Sequence, residues 1–156
     1  MGESGAAPEI AVFLLLAIAA QGIFAGAMLT EACVLVPHWR SLGATGFFAH
    51  YDANARRLFR YFAPVTAVAA LATFAATLAA FVSSAPGRGY LALGSLASIA
   101  YVAMFPLYFA GANASFIAAS IPSDRLPAAL ARWAALHWLR TGIAFVALAA
   151  VLLARA

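Results

Sequence analysis

The sequence predicts an all-α integral membrane protein, an antiparallel bundle of four transmembrane helices. Three observations lead there. Apolar residues make up 66% of the chain and charged residues only 9%, a balance foreign to ordinary soluble domains. The apolar residues gather into four runs of about 20 or more, the length that a bilayer core of roughly 30 Å asks of a helix. The second and third connections between these runs are short, so successive spans must lie side by side in opposite directions. The whole of 1–156 reads as a single transmembrane domain.

The first span covers about 10–36, with Glu9 at its start, and is expected to stop at Pro37, which cannot continue it. Gly22, Gly26 and Thr30 fall in one row of this helix, a seam of small residues where another helix can approach closely. The N-terminal Met-Gly-Glu-Ser-Gly-Ala-Ala-Pro-Glu lacks the basic region of a secretory signal, so the span reads as retained. It also lacks the Ser or Thr of a myristoylation signal.

The connection 37–60 is polar, and its part from Phe47 to Arg60 suits a short amphipathic helix lying at the interface. Phe47, Tyr51, Leu58 and Tyr61 supply its apolar side. The second span covers 61–82, with Pro64 in its first turn; a Ser/Gly/Pro turn follows. The third span covers 90–119 and is expected to kink at Pro106. The fourth covers 127–153, with Pro127 in its first turn.

Charge orients the bundle. The face reached at the end of the first span, side B, holds Arg40, Arg56, Arg57, Arg60, Arg125 and Arg132 against Asp52 and Asp124. The opposite face holds Arg88 and Arg155 against Glu3 and Glu9. The positive-inside rule puts side B in the cytoplasm and both termini outside, in what reads as a bacterial inner membrane.

All 9 basic residues are arginines, confined mostly to connections, and the aromatic residues are not interleaved with a basic stripe; this argues against nucleic-acid binding. The single cysteine, Cys33, excludes an internal disulfide and multi-cysteine redox or metal motifs, and reads as a small buried hydrophobe. The partners expected are the lipid bilayer and an apolar small molecule; a homo-oligomer or a partner membrane subunit is compatible with the bundle.

Polar groups within the spans are costly and mark candidate sites. Trp133, His137 and Thr141 are spaced i, i+4, i+8, with Arg140 beside them, so one face of the fourth span presents them all. Glu31 lies about five residues before the side-B end of the first span, and Asn113 about seven before the end of the third. At about 1.5 Å per residue, these groups reach one level, of order 7 to 15 Å below side B. His38, His50 and Arg57 lie above them. Each has a plainer reading: an Arg140–Glu31 ion pair, a core histidine, a helix-capping asparagine, and interfacial tryptophans at Trp133 and Trp138.

Three chemistries suit this set. Glu31, His50 and His137 could ligate a metal, though no local His-Glu-x-x-His motif is present. His50 and His137 could hold a haem. Proton abstraction from an acidic carbon or phenol needs a base, a cation for the oxyanion and an aromatic wall. His137, Arg140 and Trp133 fill those roles and require no cofactor.

The pattern Trp133-x-x-x-His137-x-x-Arg140-Thr141, after Asn113 late in the third span, resembles the anthrone-oxygenase-like family, a broad bacterial and fungal group of membrane proteins. The first-span glycines, Val36-Pro37 and the Phe-rich connection are also similar, so the resemblance covers most of the chain. Asn113 stands in Gly111-Ala-Asn-Ala, which departs from the family's usual surroundings. The resemblance implies oxygenation of an anthrone-type ring to a quinone with dioxygen, without a required cofactor. It makes His137 the base, Arg140 the oxyanion partner, and Trp133 and Asn113 positioning groups. Depth adds Glu31 as an orienting carboxylate, and His50 is a candidate substrate contact. The competing readings are a non-catalytic membrane subunit or binding protein with a structural polar cluster, and a metal- or haem-dependent redox protein.

Overall fold

A computed structural model describes residues 6–155; Glu3, counted above in the charge balance, lies outside them. Among the described residues four helices are long and apolar enough to cross a membrane: Glu9–Ser41, Gly43–Val82, Arg88–Ile117 and Leu126–Leu153. They are the first to fourth spans. The first and third each pack against both the second and the fourth. An antiparallel four-helix bundle closes, without strands among the described residues.

The packing follows the logic of helices in lipid. Ala17, Ala69, Ala76, Ala144 and Ala147 fill the interior, while Leu16, Ile23, Leu71, Leu78, Leu96 and Val146 face outward. Hydrocarbon solvates a leucine as well as another leucine does, so close backbone approach decides which faces meet. Gly94 marks such an approach: a Cβ there would meet Val151 at 3.2 Å and Thr73 at 3.4 Å. The seam expected on the first span is different. A Cβ at Gly22 or Gly26 would meet nothing within 4 Å, because the buried face of that helix runs through Gln21, Phe24, Ala25 and Met28. Cys33, expected to be buried, is exposed as well.

Two helix ends differ from expectation. The first span passes Pro37 by a π-helical turn, Glu31–Leu35, and continues as Val36–Ser41. The Val36 N–H reaches back five residues to the Glu31 carbonyl. This wider turn relieves the clash that a proline ring makes with the carbonyl four residues earlier in an α-helix. Pro106 sits in a second such turn, Phe105–Phe109. Each π turn contributes to the site described below: Glu31 opens the first, and Phe109 closes the second.

The second difference is the connection. Gly43–Val82 is one helix of 40 residues with Pro64 inside it, roughly 60 Å long and twice the bilayer core. Residues 43–60 thus continue the second span upright towards side B instead of lying in the interface plane. Gly43 takes a φ of +64°, which allows the chain to reverse sharply after Ser41. Of the side chains expected to dip into lipid, Phe47 and Tyr51 pack on protein, meeting Trp39 and Phe116 at ring distances of 5.1 to 6.4 Å, while Tyr61 stays exposed.

Away from side B, Gln21 ties three spans together. Its Nε2, which has two hydrogens to donate, lies within hydrogen-bond reach of Thr73 Oγ1 (2.9 Å), Ser98 Oγ (3.0 Å) and the Tyr101 hydroxyl (3.2 Å). The Thr73 and Ser98 hydroxyls donate to Ala69 and Gly94 carbonyls in their own helices, which leaves their lone pairs to accept.

Candidate functional site

The second and third spans part towards side B and leave a cavity of about 770 Å³, within the range of small-molecule sites. Its walls are mostly apolar, with Phe62, Phe105, Phe109 and Val102 prominent. Asp52 and Arg56 line it towards side B, and Glu31, Thr66, Trp133 and Arg140 make a polar floor. Asn113 and Tyr51 complete the lining on the side-B half.

Trp133 and His137 stand one turn apart on the fourth span, and both are buried. Their rings stack at 5.0 Å and 12°. The Trp133 indole N–H donates to Asn113 Oδ1 at 3.0 Å, which joins the third span to the fourth. His137 Nε2 lies 2.9 Å from the Met28 carbonyl. A carbonyl can only accept, so the proton sits on Nε2, and Nδ1 points to Glu31 Oε2 at 3.7 Å. That separation exceeds a hydrogen bond, and Nδ1 has no other partner among the described residues.

Arg140 is buried between two aromatic rings, its guanidinium carbon 5.8 Å from the Phe24 centroid and 5.5 Å from Phe109. Its one side-chain hydrogen bond is long, from Nη2 to Thr66 Oγ1 at 3.4 Å, and Nε has no partner. Among the described residues Glu31 approaches the neutral His137 ring at 3.7 Å, and the Arg140–Glu31 ion pair that the plainer reading expected does not form. A guanidinium with five donors and so little to bond is equipped to hold an oxygen of a ligand.

The structure therefore brings Glu31, Asn113, Trp133, His137 and Arg140 to one level, but not in the expected arrangement. His137, 1% exposed, stands behind Trp133 and Glu31 and does not line the cavity. Glu31 is the carboxylate that faces it. His50 is elsewhere: it lines a separate groove between the first and second spans, with the exposed His38 edge-on at 5.2 Å. The expected set Glu31, His50 and His137 is thus not assembled, nor are His50 and His137 turned to one haem-sized space. No cluster of three or more His, Cys, Asp or Glu placed to hold a metal occurs among the described residues.

Thr66 and Tyr51 were not singled out from sequence. A lone threonine in an apolar span carries little signal, and Tyr51 is equally at home in an amphipathic stripe. Trp138 is half exposed on the outer face, as a belt residue would be.

Fold and site together define a class: a four-span helical membrane protein with a lipid-level cavity, apolar in its walls and charged at its floor. Comparison with known family profiles, curated proteins and solved structures finds no match for this chain.

Proposed function

We propose that this protein is a small membrane-embedded oxidoreductase that draws an apolar aromatic or quinone-like substrate into the cavity and oxidises it with dioxygen. One observation carries the reading: Glu31 and Arg140 both line the floor of a mostly apolar cavity, and neither has a strong partner within the protein. The anthrone-oxygenase resemblance supplies the reaction type. Side B faces the cytoplasm in this reading, with both termini outside, on the strength of its arginines.

The chemistry runs on the chain's own groups. Glu31 takes a proton from the activated methylene of an anthrone-type ring. Arg140 holds the oxygen on which the resulting negative charge settles, and Trp133 supports the ring face. The substrate anion gives one electron to dioxygen; the radical pair joins as a peroxide, which takes the proton back from Glu31 and loses water. Methylene plus dioxygen thus becomes carbonyl plus water. His137 acts behind Glu31: with Nε2–H fixed on Met28, its Nδ1 can share the proton that Glu31 accepts. The reaction needs no further cofactor in this scheme.

The test is oxygen uptake by the purified protein in lipid nanodiscs given a dihydroxyanthrone, with quinone followed by absorbance. One dioxygen consumed per quinone formed, lost in Glu31→Gln protein of unchanged helicity, is the expected result. A folded wild-type protein that consumes no oxygen above the protein-free rate would instead favour a binding or structural role for the polar floor.

A further inference from the structure

The groove that holds His50 has no part in the chemistry above, and its layout points elsewhere. It encloses about 620 Å³ between the first and second spans. On the first span it extends from Gly26 to Trp39, and on the second from Phe62 back to His50. At 1.5 Å per residue each wall is about 20 Å long, the depth of one leaflet with its headgroups.

The two ends differ in chemistry. The deep end, at Gly26, Ala27 and Phe62, is apolar, and the space over Gly26 is open. Towards side B the wall becomes polar: Arg57 stands about midway along it, Asn54 follows, and His50 closes the end with the His38 ring against it. No Asp or Glu lines the groove; Asp52, two residues from His50, faces the other cavity. A slot one leaflet deep, apolar below and cationic at headgroup level, matches a single class of occupant.

We infer that this groove is a binding site for an anionic phospholipid of the side-B leaflet, its phosphodiester held by Arg57, its headgroup reaching towards His50 and one acyl chain lying over Gly26. Basic pockets between spans at this level select anionic headgroups. The site is independent of the proposed chemistry, yet Leu58 and Phe62 line both it and the central cavity. The lipid therefore packs against the cavity wall.

Native mass spectrometry of the full chain, released from nanodiscs of equal phosphatidylglycerol and phosphatidylcholine, tests the inference. The wild type should retain one phosphatidylglycerol in about five-fold or greater preference, the scale of one arginine at a membrane surface. Arg57→Gln with His50→Gln should bring the two lipids to parity. Gly26→Leu, a change into open space, should remove retention of either. Equal retention of both lipids by the wild type, or a preference unmoved by the variants, would overturn the proposal. So would a Gly26→Leu protein that keeps its lipid but changes from dimer to monomer, since the groove would then seat a second copy.

Discussion

The two halves of the bundle bury polar groups in opposite ways. Away from side B, Thr73, Ser98 and Tyr101 gather round the Gln21 amide nitrogen at 2.9 to 3.2 Å, and Gln21 Oε1 is the buried atom there left without a partner among the described residues. Towards side B, Glu31, His137 and Arg140 lie in the same low-dielectric interior, yet Glu31 and His137 stand 3.7 Å apart and Arg140 makes one long bond. Burying such groups costs free energy in both places. The first arrangement recovers most of that cost internally, through the bonds of the Gln21 amide nitrogen. The second does so when something fills the cavity, which is why the side-B half reads as a site and the other half as a clasp.

Mutations should separate the two halves. The largest effect is expected at the floor: Glu31→Gln should lower dihydroxyanthrone turnover by about 10²–10⁴-fold, the worth of a placed general base. Its melting temperature should hold or rise, because a buried charge is removed. Arg140→Gln should cost roughly 10- to 150-fold, the range for a hydrogen bond to a charged group, and should raise KM as well, since both substrate and anion lean on it. His137→Ala is expected to be milder than Glu31→Gln at the same pH. If His137 loss proves the more damaging, then the histidine meets the substrate and the order of the pair is reversed.

In the clasp the expectation inverts. Gln21→Leu should leave turnover near wild type and lower stability by about 0.6 kcal/mol, the average for side-chain hydrogen bonds between membrane helices, with about 1.7 kcal/mol as the upper bound. Thermal unfolding in detergent would show it. Asn113→Ala should have the smallest effect on activity, several-fold, through loss of the bond that fixes the Trp133 ring. A large loss there would make Asn113 a direct substrate contact.

The levels at which residues meet were legible in the sequence, and their rotations were not. Helices rise by a fixed step, so counting from the span ends is enough to bring Glu31, Asn113 and His137 to one depth. Which of Glu31 and His137 faces the cavity depends on how each helix turns about its axis, and the neighbours decide that. The same limit separated His50 from the site: it and Asp52 lie on one helix, yet they serve opposite grooves. Residues 43–60 were misplaced because the stripe of Phe47, Tyr51 and Leu58 looks alike whether it meets lipid or Trp39 and Phe116. The glycine seam looked like a contact because small residues allow close approach, but nothing requires a partner to use it. Gln21 did carry a signal, a lone amide deep in an apolar run, though its partners Thr73 and Ser98 are ordinary in such helices.

The central claim is that the Glu31–Arg140 floor binds an aromatic C–H or O–H acid as its anion. Absorbance of a dihydroxyanthrone titrated anaerobically into nanodisc-embedded protein tests this most directly, since the ring anion absorbs at longer wavelength than the neutral form. The wild type should produce the anion band at a pH where the free compound stays neutral, and Glu31→Gln and Arg140→Gln should each abolish it. A bound ligand that keeps its neutral spectrum in the wild type, or an anion band that survives both substitutions, would contradict the claim.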